Sequence, residues 1–181
     1  YSQQIAELHG KIYSNISKNY EEKALKWADS ITAISKEACD YYSKSGFDVT
    51  HVPNAIDINN FPKKAIKKFE KQIIYAGRLS KEKGIDTLLD VAEHLPAEYN
   101  LLIAGMGPEE EKVRSVASSK TNVHYLGYQS KQNTISLIRG SDLLIQPSIM
   151  EGISSTLLEA MGCGTCILAS NVGGNVEIIE N

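Results

Sequence analysis

Two carboxylates of the segment Gln146-Pro147-Ser148-Ile149-Met150-Glu151-Gly152-Ile153-Ser154-Ser155-Thr156-Leu157-Leu158-Glu159-Ala160-Met161 belong to one loop-helix unit. Glu151 precedes the helix, Ser154 or Ser155 can cap it, and Glu159 lies inside it, so the two acids need not act on one bond and do not resemble a hydrolase pair. A helix start offers free backbone N–H groups to an anion, while a loop carboxylate such as Glu151 can accept hydrogen bonds from sugar hydroxyls. Glu159 could hold a ribose diol in the same way, although pattern alone favours an ordinary surface glutamate in a helix.

Two more loops carry chemistry-bearing residues. Gly77-Arg78-Leu79-Ser80-Lys81-Glu82-Lys83-Gly84 has glycine at each end and cations near both, so Arg78 and Lys83 could converge on a diphosphate. Gly105-Met106-Gly107-Pro108 looks like the opening of a dinucleotide fingerprint, but Glu110 stands at the third glycine's place and the loop follows the second strand of its region. A nicotinamide cofactor is therefore not expected, whereas a glycine turn that lets a base or ribose approach the backbone is.

These loops need strands and helices to position them. Five short apolar runs recur from Gln72 onward: Ile73–Ala76, Leu101–Ala104, Val123–Leu126, Leu143–Ile145 and Cys166–Ala169. Most are apolar on both faces, as strands covered by helices on both sides require. Between the first two, Ile85, Leu88, Leu89, Ala92 and Leu95 mark one buried helix face that Pro96 ends. Val113, Val116 and Ala117 repeat the spacing, as do Ile135 with Ile138, and Leu157 and Leu158 with Met161. The expected fold is α/β, a Rossmann-like doubly wound parallel sheet. Upstream, a polar and aromatic helix is expected from Tyr1 to about Trp27, then a short strand within Ser30–Ser35, then another helix and strand. The basic run from Pro62 to Lys68 reads as a solvated linker rather than a phosphate patch and divides the chain into residues 1–62 and 63–181.

Composition narrows the function classes. With 181 residues, 42% hydrophobic and 23% charged, the chain can bury a proper core. A net charge of -3 without a long basic run gives no broad field for nucleic acid. No apolar stretch approaches the ~20 residues of a membrane-spanning helix, and the opening residues do not resemble a signal peptide, so a cytoplasmic location is expected. Cys163-Gly164-Thr165-Cys166 has the spacing of a redox or metal pair, but it falls where a helix ends and a strand begins, and no second ligand pair accompanies it. Packing is the simpler reading, and no metal site is expected.

Taken in order, these motifs resemble the retaining glycosyltransferases of family 4. Gly77-Arg78-Leu79 through Lys83-Gly84, the turn Gly105-Met106-Gly107-Pro108, the turn Leu126-Gly127-Tyr128, the spaced Glu151 and Glu159, and the closing Gly173-Gly174-Asn175-Val176-Glu177 all match in sequence order. Ala28–Ser35 looks like the last strand of that family's first domain, and Val52-Pro53-Asn54-Ala55-Ile56-Asp57 with Phe61 like its interdomain crossing. The resemblance implies the C-terminal half of the two-domain GT-B fold, here cut at both ends and inactive alone. Its first sixty-two residues would close the acceptor domain.

By this resemblance Arg78 and Lys83 bind the donor diphosphate, Glu151 holds the transferred sugar and Glu159 the ribose hydroxyls. The backbone from Gly152 through Ile153, Ser154, Ser155 and Thr156 contacts sugar and phosphate, while Gly77, the Gly105–Gly107 turn and Tyr128 lie about the nucleotide. The donor would be a UDP- or GDP-linked sugar, with no cofactor and no metal. A saccharide or lipid-linked acceptor would bind the missing domain, through which the whole protein could also meet a membrane. None of His9, His51, His94 or His124 maps onto the histidine that family members often use beside the sugar. Three departures stand out: Ala55 where glycine is usual, Ile153-Ser154-Ser155 after the first Glu-Gly, and Cys166 where proline is frequent. Two rivals remain at this level, a sugar-nucleotide epimerase of the same fold and a catalytically silent nucleotide-binding subunit.

Overall fold

The computed structural model describes residues 11–179; the opening ten residues, His9 among them, and the final two lie outside it. Within that range the chain forms two compact units, one ending at Pro53 and the other beginning at Asn54. The smaller contains helix α1 (Lys11–Trp27), strand β1 (Ile31–Ala33), helix α2 (Lys36–Lys44) and strand β2 (Val49–His51). Its strands pair in parallel, Ile31 opposite Val49, across the α2 connection. Ser35 caps α2 by accepting the Ala38 N–H at 3.2 Å, which fixes where that helix starts. The first ten residues of the helix expected from Tyr1 fall outside the described range.

The larger unit is a five-stranded parallel sheet ordered β5-β4-β3-β6-β7. Its elements are β3 (Gln72–Ala76), α3 (Ile85–His94), β4 (Asn100–Ala104), α4 (Glu110–Ser119), β5 (Val123–Gly127), α5 (Lys131–Arg139), β6 (Leu143–Gln146), α6 (Ser155–Cys163) and β7 (Cys166–Ala169). All five expected strands and all four expected helices are present. Pro96 lies two residues past α3, and Gly164, at φ +72°, ends α6 in the left-handed region that a side chain resists. The cysteine spacing falls on this same boundary: Cys163 closes α6 and Cys166 opens β7.

Period-two alternation sends the central strands' side chains into two cores. Ile73 and Tyr75 pack with Ile85, Leu88, Leu89 and Val113 on one face, while Ile74 and Ala76 pack with Leu137, Ile138, Leu157 and Ala160 on the other. Ile74, Leu88 and Leu157 are fully buried, each contributing about 1.5–3 kcal/mol of hydrophobic stabilisation. The edge strands depart from the expected double cover. In β7, Leu168 remains 59% exposed, because nothing described lies over that face.

The basic run also differs from a plain linker. Its lysines are exposed, yet Ile66 and Phe69 pack on the second core. The buried Gln72 side chain holds the backbone, donating to Ile66 O at 3.1 Å and accepting from Lys68 N at 2.8 Å. Ahead of it, Phe61 is buried and the crossing lies so close to α6 that a Cβ on Gly162 would sit 2.9 Å from the Phe61 ring. Ala55, which replaces the usual glycine, has no positive φ and carries no strain of that kind.

Candidate functional site

The strand order reverses direction between β3 and β6, which places a crevice beyond their carboxyl ends, where open parallel sheets bind ligands. The loops after β3, β4 and β5 extend the ladder beyond the strands: Gly77 N donates to Ala104 O at 3.0 Å, and Gly105 N to Gly127 O at 2.9 Å. Gly105 must be glycine, since at φ +141° its Cβ would stand 1.8 Å from Gly77 O. Leu79 N donates to Met106 O at 3.0 Å, so the two glycine-bearing loops run backbone to backbone.

A cleft of about 320 Å³ opens over these loops. Of the sequence-predicted residues, Gly77, Arg78, Gly105, Tyr128 and Thr156 line it. Arg78 is exposed and, among the described residues, makes no ion pair. Its backbone is anchored from below, where the buried Tyr75 hydroxyl donates to Arg78 O at 2.8 Å. Burial and the nearby Glu151 and Glu82 charges push the Tyr75 phenol up, keeping it a neutral donor. Tyr128 is 74% exposed at the rim, an aromatic face available for stacking.

Lys83 and Glu151 do not form the cleft wall; they pair with each other. Lys83 Nζ lies 2.7 Å from Glu151 Oε1, and the same oxygen accepts from Ser148 Oγ at 2.9 Å and Gln146 Nε2 at 3.0 Å. The Glu151 side chain is 6% exposed. Its loop is seated from two sides. Ile149 and Met150 N–H groups donate to Glu82 O at 2.9 and 3.3 Å, and a Cβ on Gly173 would meet Glu151 O at 1.8 Å. Gly174 similarly passes 2.2 Å, Cβ to oxygen, from Gly152 O, which explains physically why two glycines close this region.

Helix α6 presents its first turn next to this loop. Ser154 occupies the cap position, but its hydroxyl makes no capping bond, which differs from the expected Ser154 or Ser155 cap and leaves first-turn N–H groups open to an anion. Ser154 and Ile153 are themselves buried, and Ile153 O accepts from Asn54 Nδ2 at 3.0 Å. Ser155 is exposed. Gly107 lies beneath Leu79 O, 2.3 Å from where a Cβ would be, and so shapes the loop.

Glu159 is one helical turn below the cleft-lining Thr156, and Lys131 one turn from the cleft-lining Thr134. Their charged atoms are 3.9 Å apart, with Glu159 buried. Burial raises its pKa above the ordinary carboxylate value, and the Lys131 charge opposes that only in part.

Sequence reasoning missed Gln129 and Thr134 in the cleft, and the roles of Gln146, Ser148 and Tyr75 behind the charged residues. Gln146 did leave a signal: it is a polar residue ending an otherwise apolar strand. Among the described residues there is no cluster of three or more potential metal ligands, and no helix is long and apolar enough to cross a membrane.

The fold is that of a Rossmann-like half of a GT-B architecture. The crystal structure of Anabaena HepE with UDP and glucose superposes with a TM-score of 0.75 over 87% of this chain and 48% of that one, at 21% identity. In sequence, an uncharacterised glycosyltransferase of Methanocaldococcus jannaschii is 27% identical over 96% of this chain and 49% of its own length. The phosphatidylinositol N-acetylglucosaminyltransferase gpi3 subunit of Schizosaccharomyces pombe is 31% identical over 74% of this chain and 31% of its own. The chain thus spans a third to a half of such relatives. Residues 57–181 match the family model of glycosyl transferases group 1, and the chain belongs to that family.

Proposed function

We propose that this chain is the donor-binding half of an enzyme that moves a sugar from a nucleoside diphosphate to a hydroxyl acceptor with retention at the anomeric carbon, as in family 4, and without metal. The observation that carries the reading is that Arg78, without an ion pair among the described residues, and Thr156, in the first turn of α6, line one switch-point cleft. Departure of the diphosphate builds negative charge on it and positive charge on the ring. Arg78 and Lys83 therefore stabilise the transition state more than the ground state, and loss of one such donor lowers the rate by ~10²–10³.

In this reading Glu151 presents its free oxygen to the transferred sugar and Glu159 accepts from the ribose diol. Tyr128 and the Gly105–Gly107 turn flank the base, while the backbone of Gly152 through Thr156 meets sugar and phosphate. UDP is the favoured nucleotide because HepE, of the same fold, binds it. The acceptor is a saccharide or lipid-linked hydroxyl held by the other domain; the S. pombe relative, a phosphatidylinositol N-acetylglucosaminyltransferase subunit, supports the lipid-linked class and an assembly with partner subunits. A cytoplasmic setting is part of this proposal.

Calorimetric titration with UDP and GDP, beside Glu159→Ala, tests this proposal. Saturable binding of one nucleotide, weakened at least about tenfold by the substitution, is expected. Wild-type protein that is folded but binds neither nucleotide would overturn the donor-site assignment.

A further inference from the structure

The Glu151 carboxylate is held asymmetrically. Oε1 accepts three hydrogen bonds, from Lys83, Ser148 and Gln146, whereas Oε2 has no partner among the described residues. Ser148 and Gln146 are each 2% exposed, so neither reaches a ligand through open solvent. They also bond to each other, Gln146 Nε2 to Ser148 Oγ at 3.1 Å, closing a triangle behind Oε1.

Gln146 bears a cost for this role. Its own Oε1 is buried and accepts nothing, an arrangement that native structures seldom keep without reason. Turning the amide over would satisfy no carboxylate and would set an oxygen against Glu151, so the side chain is aimed by Glu151. The Lys83 side chain, by contrast, is 27% exposed and carries its charge on a flexible stem.

We propose that Ser148 and Gln146 are positioning residues that keep Glu151 in place while Lys83 is handed from that carboxylate to an incoming nucleoside diphosphate. This rests on the donor-site reading above. In the free protein Lys83 neutralises Glu151. When the diphosphate enters, Lys83 turns toward it, and the nearly buried carboxylate would be left uncompensated if its only partner were a lysine. Two neutral donors remain on Oε1, so the lysine can leave and Oε2 keeps its direction toward the sugar. No bond is made or broken, and only hydrogen-bond partners change.

The test is a double-mutant cycle on UDP affinity in this chain, by calorimetry, with the folded state of each variant checked by circular dichroism. Ser148→Ala should weaken UDP about threefold, because the Ser148 hydrogen bond, present in the free protein too, strengthens once Lys83 no longer shares Oε1. Glu151→Gln should tighten UDP about threefold, because Lys83 no longer has an ion pair to leave. The decisive quantity is the coupling: in the Glu151→Gln background Ser148→Ala should have no effect on UDP. A Ser148→Ala penalty that persists undiminished there shows a merely structural role and overturns the proposal. If Ser148→Ala does not fold, Gln146→Ala enters the same cycle with the same expectation. Wild-type protein that binds no UDP overturns the donor reading and this proposal together; wild-type binding without coupling overturns this proposal alone.

Discussion

Glu151 and Glu159 are the same residue type on one loop-helix unit, and the protein treats them in opposite ways. Glu151 is built into a network, with three donors on one oxygen and a loop seated over Gly173. Glu159 is buried with a lysine 3.9 Å away as its partner, and burial holds its pKa high. The difference teaches that burial alone does not define a site. A carboxylate with three donors on one oxygen is fixed in direction, and one with a single lysine 3.9 Å away keeps most of its acceptors for something else.

The contrast can be broken hardest at the glycine beneath Glu151. Gly173→Ala forces a left-handed φ of +51° and a Cβ into Glu151 O, so it should lower unfolding stability in urea by more than about 3 kcal/mol. Gly164→Ala also has a positive φ, +72°, but open space, and should lose only about 1–2 kcal/mol. Equal losses for the two would show that the seat of Glu151 is not tightly packed.

Truncating the carboxylates sharpens the comparison. Glu151→Ala removes the carboxylate that Gln146 and Ser148 donate to and leaves Lys83 to water, for a loss of about 2 kcal/mol by the same denaturation assay. Glu159→Ala should change stability by less than about 1 kcal/mol, because few bonds depend on it. The reverse order would mean that Glu159, and not Glu151, is the structural residue.

The smallest effect is in pH. A carboxyl whose folded pKa is raised binds more protons folded than unfolded, so stability falls as pH rises from the unfolded value, near 4.5, through the folded one. Glu159→Gln should therefore be slightly more stable than wild type at pH 7, by less than about 1 kcal/mol, and should lose that advantage toward pH 4. Thermal melts across that range read it out, and a gap that does not close with acid would assign the effect to something other than ionisation.

Much of this architecture was legible in sequence because apolar strands between amphipathic helices have few alternatives. Ile73–Ala76 and Leu101–Ala104 read as strands covered on both faces, and Ile85, Leu88 and Ala92 as a buried helix face. The motif loops were legible too, since a glycine turn such as Gly105 allows a close backbone approach. The pairing of Lys83 with Glu151 was not, because it joins loops 68 residues apart whose contact depends on strand order. Nor was the weak cap at Ser154, because a serine before a helix looks the same whether or not its hydroxyl turns inward. The packing of Ile66 and Phe69 was hidden by the lysines around them.

The most direct test of the central claim is a crystal structure of this chain soaked or grown with UDP. The account predicts the diphosphate within hydrogen-bond reach of the Arg78 guanidinium and the first turn of α6, the ribose diol on Glu159, and the base beside Tyr128. UDP bound elsewhere, with the cleft between Gly77 and Thr156 empty, would contradict it.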